Sequence, residues 1–391
     1  MDRVAKIAGM ETPVQAALPV MHGGTTRPKK RVALVHDYLV QDGGAERVLG
    51  VLQEMYPEAP TYVLIYDPDK SHAQFRDRTI RTSFLDHWPF AKRAYQWYLP
   101  LMPIAIEHLD LSGFDLVISS SSSFAKGVIA APESLHVCYC HTPTRFLWQE
   151  RIGYLNDLPQ PQLMRAILPP LLHNLRQWDR LAAERPDVML TNSETSRARI
   201  KRYYGRDSHV IHPPVDISAI PVAEGPGRYW LAGGRLVGYK RFDLVVKAFA
   251  KMNLPLKVFG IGPELKKLRA IAGPKTDFLG HVSDMKKAEL YRDAIGFVSP
   301  QIEDFGITVI EAMAAGRPVI TFGQGGAKET VIPGVTGIHL ETQAWEDIGD
   351  AVIRFDASRY DPKAIRAHAE TFSTERFKTK MRDFIDHAVA R

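Results

Sequence analysis

The feature that most constrains this chain is an alternation that runs through both of its halves. Short apolar stretches alternate with longer amphipathic ones, and most apolar stretches end in a turn of glycine or small polar residues. In the first half these stretches are Arg31–Leu39, Thr61–Tyr66, Asp115–Ser119, Val137–Tyr139 and Asp187–Thr191. In the second they are Tyr229–Ala232, Leu256–Phe259, Phe278–Val282, Ala294–Pro300 and Pro318–Phe322. Strands that alternate with helices predict parallel sheets covered by helices. The pattern occurs twice in 391 residues, which suits two domains that each bury a core. The expected division is a loosely ordered extension over 1–28, a first domain over 29–215, a Pro/Gly-rich linker over 216–228 and a second domain over 229–375. The extension lacks the continuous apolar core of a signal peptide.

Charge narrows the partners. The net charge of +6 fits an anionic ligand, a phosphorylated molecule or an acidic lipid surface. Lysines and arginines are dispersed, with no basic block, which makes nucleic acid the weaker reading; steep salt dependence would mark it. The two cysteines, Cys138 and Cys140, are one residue apart, too close to bridge without strain and too few for a zinc site. A cytoplasmic location is expected, and no apolar run is long enough to span a bilayer. One segment, Phe84–Leu109, sets Trp88, Phe90, Trp97 and Tyr98 beside Lys92 and Arg93. It suits either an interface with anionic headgroups or aromatic packing in the first domain, and Pro89, Pro100 and Pro103 break any single amphipathic helix.

Ligands of open α/β sheets gather at the carboxyl ends of strands. Gly43 and Gly44 stand at such a strand-to-helix turn, where backbone can approach a ligand or simply turn tightly. His141 ends the Val137–Tyr139 strand, and Asn192-Ser193 ends the next as a helix cap. Arg235 and Lys240 bracket a glycine-containing turn, where two cations can offset diphosphate charge. Gly260-Ile261-Gly262 lacks the third glycine of a dinucleotide fingerprint, since Leu265 stands there. The most informative stretch is Ser299–Thr321. It reads as strand, loop and short helix, with Glu303 in the loop, Glu311 one turn inside the helix, and Gly316 and Pro318 stopping it. The N–H groups of Phe305, Gly306 and Ile307 lie at the helix start, a seat for an anion.

Glu303 and Glu311, with Phe305-Gly306-Ile307 between them, resemble the Glu-x7-Glu signature of the retaining family 4 glycosyltransferases. The resemblance extends to Gly-Arg235-x-x-x-x-Lys240-Arg, to Gly325-Gly326-x-x-Glu329 and over about residues 30–390. It implies an α/β GT-B architecture: two Rossmann-like parallel-sheet domains facing across a cleft, with a last helix, 376–391, crossing back to the first domain. It further implies that Arg235 and Lys240 bind the donor diphosphate, that Glu303 serves the sugar and Glu311 the ribose, and that backbone near Val282 meets the base. Gly43 and Gly44 face donor phosphate or acceptor, and Glu329 flanks sugar or phosphate or simply favours the N-terminus of its own helix. His-Asp-Tyr38, Gly-Gly-Ala-Glu-Arg47, His141-Thr-Pro-Thr-Arg-Phe146 and Glu303-Asp-Phe-Gly-Ile307 are similar to bacterial O-antigen mannosyltransferases of the family. That similarity implies GDP-mannose as donor, a lipid-linked saccharide as acceptor, and His141 on the sugar or acceptor. It implies no cofactor or metal, although Asp67-Pro68-Asp69 looks like the metal signature of the other major glycosyltransferase fold. A Pro turn after a strand accounts for those aspartates locally. The alternatives are a UDP-sugar transferase of the same fold, a sugar-nucleotide epimerase and a non-catalytic sugar-nucleotide-binding subunit.

Overall fold

The structure is a computed structural model and describes residues 30–149 and 162–389. The expectation for 1–28 lies outside those residues, as does the start of the helix expected from Pro159.

Thirteen strands form two all-parallel sheets among the described residues. The first contains β1 (Val32–His36), β2 (Thr61–Val63), β3 (Ile80–Thr82), β4 (Leu116–Ser121), β5 (Leu135–Cys140), β6 (Val188–Thr191) and β7 (His209–Val210), in the order β3-β2-β1-β4-β5-β6-β7. The second contains β8 (Tyr229–Gly233), β9 (Leu256–Phe259), β10 (Thr276–Gly280), β11 (Ala294–Ser299), β12 (Val319–Phe322) and β13 (Gly337–Leu340), in the order β10-β9-β8-β11-β12-β13. Helices cover both faces, so the inner strands are buried, as uninterrupted apolar runs require, while the edge strands β3, β7 and β10 are partly open.

Strand order decides where a site can form. Each sheet reverses direction once, between β1 and β4 in the first and between β8 and β11 in the second. A crevice opens beyond the carboxyl ends at such a reversal. It puts the loops after His36, Ser121, Gly233 and Ser299 at the two crevices.

Two local differences from expectation have physical reasons. β4 runs on through Ser121 because its serines are hydrogen-bonded inside the sheet: Ser119 to His136 at 2.8 Å and Ser120 to His141 at 2.9 Å. β10 ends at Gly280, short of Val282, where Gly280 turns with φ +67°. Gly260 and Gly262 serve packing: a Cβ on Gly260 would lie 1.8 Å from the Gly234 carbonyl, and one on Gly262 2.2 Å from that of Leu236. They hold the turn carrying Arg235 against the β9 loop.

The chain leaves the first sheet and returns to it side by side. Val215 N–H donates to Phe372 O at 3.1 Å, and Thr374 N–H donates to Val215 O at 3.2 Å. The helix Thr374–Val389 then lies on the first sheet, burying Phe377, Met381 and Ile385 among Leu34, Ile118 and Tyr139. Its four-residue apolar spacing puts all three on one face. Burying each contributes about 1.5–3 kcal/mol. Cys138 and Cys140 are buried free thiols, and burial pushes Cys138 up to about 11, which keeps it protonated.

Candidate active site

The loop after β11 carries the acidic residues. Gly306 has φ +94°, a left-handed conformation that suits glycine, and it starts the helix Ile307–Ala314. The N–H groups of Phe305, Gly306 and Ile307 have no protein partner among the described residues, leaving three donors at a helix tip. The Phe305 ring turns inward instead, stacking on His212 at 5.4 Å and meeting Phe372 at 5.5 Å. Only its backbone serves the tip. The Glu303 carboxylate hangs beside this tip, with Oε2 3.5 Å from where a Cβ of Gly306 would lie.

Lys240 reaches the same place from the turn after β8. Its Nζ is 2.7 Å from Glu303 Oε1, with both side chains mostly buried. Arg235, on the same turn, is exposed, and its side chain makes no hydrogen bond or ion pair among the described residues. Its charge reaches across to Tyr95 of the first domain: burial raises that phenol, and Arg235 partly offsets the rise.

Glu311 is buried and carries three donors. Oε1 accepts from Lys287 Nζ at 2.8 Å and Arg47 Nη1 at 3.1 Å, and Oε2 accepts from the Tyr291 hydroxyl at 3.0 Å. Val282 packs with Ile307 against the apolar cluster of the second domain.

The first domain supplies the opposite wall. The Gly43-Gly44 turn meets the helix tip: a Cβ on Gly44 would lie 3.0 Å from Ile307 Cδ1. Below it, Asp37 accepts four backbone N–H bonds, from Ser122 and Ser123 at 2.6 and 2.9 Å and from Phe124 and Ala125 at 2.6 and 2.7 Å. The turn Ser122–Ala125 that follows β4 is thus pinned to the end of β1. His36 Nδ1 lies 2.9 Å from Ser120 O, and its Nε2 lies 3.9 Å from Glu46 Oε1. Burial alone would lower His36, but Glu46 outweighs it and raises it. Glu46 goes down because His36 outweighs burial there.

His141 Nε2 shares Ser120 Oγ at 2.9 Å. Burial, reinforced by the charge of His36, pushes His141 down to about 3, so it is neutral at physiological pH. Its loop is held from behind by a buried network. Asp179 accepts from Lys126 Nζ and Thr144 Oγ1, both at 2.6 Å, from Trp148 Nε1 at 2.7 Å and from the Tyr204 hydroxyl at 2.8 Å.

Of the expected residues, Lys240, Glu303, Gly306, Ile307 and Gly44 form a contact chain across the two domains. His141 bonds Ser120 inside the first domain, and the Arg235 side chain stays open to solvent. One expectation is corrected. Glu329 does not open onto this site, because both its oxygens are taken by N–H groups of Glu194 and Thr195 at 2.9 and 3.2 Å. It caps the helix Glu194–Tyr204 of the other domain, alongside the Ser193 cap. Asp67 is likewise engaged locally, 3.0 Å from Lys70 and accepting from Asp69 N–H at 3.2 Å. Sequence reasoning missed Arg199, Lys287 and Tyr291. Their side chains meet the acidic loop and Glu311 only through tertiary packing.

Two family models match this chain. Residues 42–219 match Glycosyltransferase Family 4 and residues 217–371 match Glycosyl transferases group 1. The chain belongs to the family 4 glycosyltransferases. This family 4 chain is 28% identical over 224 residues to the D-inositol 3-phosphate glycosyltransferase of Mycobacterium tuberculosis, covering 48% of this chain and 46% of that protein. It thus spans about half the length of the curated relatives it matches, 46% of theirs. Its fold is GT-B. Anabaena HepE, solved in complex with UDP and glucose, superposes with a TM-score of 0.67 at 16% identity, covering 92% of this chain and 100% of that one. Sucrose-phosphate synthase from Thermosynechococcus elongatus gives 0.68 at 18% identity, covering 93% and 100%.

Proposed function

We propose that the protein transfers a hexosyl group, with retention, from a nucleoside diphosphate sugar to a lipid-linked saccharide, in polysaccharide or O-antigen assembly. The observation that carries this reading is the meeting of Lys240, Glu303 and the Gly306 helix tip opposite Gly44. Transfer needs two opposite charge stabilisations. Negative charge grows on the leaving diphosphate, and Lys240, Arg235 and the free N–H groups at the tip serve it. Positive charge grows on the sugar, and Glu303 serves that. Glu311 serves the ribose once nucleotide hydroxyls exchange with part of its Arg47, Lys287 and Tyr291 donors. Neutral His141 orients sugar or acceptor, and no metal takes part, so turnover persists in excess EDTA.

GDP-mannose is the proposed donor, supported by the motif resemblance to O-antigen mannosyltransferases. A UDP-sugar is the second reading, because HepE is solved with UDP and with UDP-glucose. Thermal stabilisation of the purified chain by GDP, UDP, GDP-mannose and UDP-glucose, followed by nucleoside diphosphate release, tests both. Stabilisation by none of them removes the reading.

The acceptor side draws support from the 84–104 surface. Phe90 is 74% exposed and Trp97 65%, with Trp88 and Phe84 also open beside exposed Lys92 and Arg93. Phe90 is held there at φ +60°, an unfavourable conformation for a bulky residue. We assign this face to the cytoplasmic leaflet of an anionic membrane. No described helix is long and apolar enough to cross a membrane. Phe90→Asp should abolish co-sedimentation with phosphatidylglycerol vesicles, and unchanged binding removes the assignment.

A further inference from the structure

Asp304, the neighbour of Glu303, is buried and faces the first domain, not the donor side. Its Oδ2 accepts from Arg145 Nη2 at 2.5 Å, and its Oδ1 pairs with Arg199 Nη1. Arg145 stands in the loop after β5, and Arg199 in the helix Glu194–Tyr204 after β6. The two guanidinium groups come from separate elements, yet those elements are tied together. Thr144 N–H donates to the Tyr204 hydroxyl at 3.2 Å, and both Thr144 and Tyr204 bond Asp179. The receiving site for the Asp304 carboxylate is therefore preset by a buried network of the first domain.

The other side of Asp304 is equally constrained. Gly326 N–H donates to Glu303 O at 2.8 Å, and a Cβ on Gly326 would lie 2.5 Å from Asp304 O. The same glycine loop continues into Glu329, which caps the helix that carries Arg199. Two carboxylates of the second domain thus grip one helix of the first, and the Glu303 backbone lies between their anchor points.

We propose that Asp304 is a positioning residue whose clasp by Arg145 and Arg199 makes closure of the two domains and orientation of Glu303 a single event. Both of its oxygens face arginines, which leaves it no direct part with substrate. Charge-assisted bonds of this kind hold geometry as well as energy. The proposal rests on the reading of Glu303 as the group that serves the donor sugar.

The test uses the full chain with Asp304→Asn, Arg199→Gln, their combination, and Asp304→Glu. GDP and UDP binding by calorimetry should stay within about threefold of the parent, because the nucleotide contacts are elsewhere. Turnover should fall by about 10- to 100-fold through misplacement of Glu303, with the donor KM little changed. The double variant should be no worse than about twofold below either single one, since both remove one shared interaction. Asp304→Glu, which keeps the charge, should recover part of the loss. Small-angle scattering with saturating nucleotide should give Asp304→Asn a larger radius of gyration than the parent. Multiplicative losses in the double variant, a loss of nucleotide affinity that matches the loss of turnover, or equal radii would each overturn the clasp. If Asp304→Asn does not fold, Arg145→Gln and Arg199→Gln carry the same readouts. If the parent turns over no donor, the transferase reading fails, while the binding and scattering results still decide the clasp.

Discussion

Lys240→Ala separates a structural from a catalytic role for the pair at the cleft. Lys240 Nζ sits 2.7 Å from Glu303 Oε1, with 13% and 20% of the two side chains exposed. Removing the ammonium leaves Glu303 enough opening to take water, so the fold loses about 1–3 kcal/mol, between a surface pair and a sealed one. At roughly 2–4 °C per kcal/mol, Tm falls by about 2–12 °C. The reaction loses more. One preorganised donor aimed at developing charge contributes about 3–4 kcal/mol, which corresponds to a 10²- to 10³-fold fall in kcat. Release of nucleoside diphosphate at saturating donor measures this, with circular dichroism and Tm as the folding control. Lys240→Arg keeps a cation and should retain part of the rate. If Lys240→Ala is folded and turns over within about threefold of the parent, electrostatic help to the leaving group does not come from Lys240.

Three further outcomes follow from the same structure. Glu311→Ala should weaken GDP or UDP binding by about tenfold, as loss of a charged acceptor of hydroxyl bonds does, and unchanged affinity by calorimetry removes the ribose role. Asp179→Asn leaves Lys126, 1% exposed, without its counter-charge, which should cost about 3–5 kcal/mol; a Tm within about 2 °C of the parent contradicts the buried network. Burial pushes His136 down to about 4 and His141 to about 3 from an ordinary 6.5, so the unfolded chain binds more protons below that value. Their stabilisation is present above 6.5 and is lost as pH falls through the folded values. His36, raised by Glu46, works in the opposite sense, giving stability that is lost as pH rises through its folded value. Two groups outweigh one, so Tm should drop from pH 6.5 toward 4, and a flat or rising profile refutes the balance.

Much of this architecture is local in sequence and therefore legible. The helix Ile307–Ala314 has its left-handed glycine before it and Gly316, φ +72°, after it. Apolar strands such as Val319–Phe322 announce themselves because a strand covered on both faces needs no alternation. The pairings across the cleft are different. Arg47 meets Glu311 over 264 positions and Arg145 meets Asp304 over 159, and nothing local to an exposed-looking arginine reveals its carboxylate. Glu329 illustrates the point: a carboxylate in a glycine loop reads as a ligand for sugar or for its own helix, while the N–H groups it caps belong to Glu194 and Thr195. The strand starting at Asp115 is legible, but Asp37 as anchor of the turn Ser122–Ala125 after it is not, because the four bonds form only once β1 and β4 pair.

The most direct measurement is a crystal structure of the chain with a bound nucleoside diphosphate. The diphosphate should lie between Lys240, Arg235 and the Gly306 tip, with phosphate oxygens about 2.7–3.1 Å from Lys240 Nζ and from the free N–H groups. Ribose hydroxyls should lie on Glu311. A diphosphate seated away from Lys240, with the Lys240–Glu303 pair unchanged, would contradict this placement.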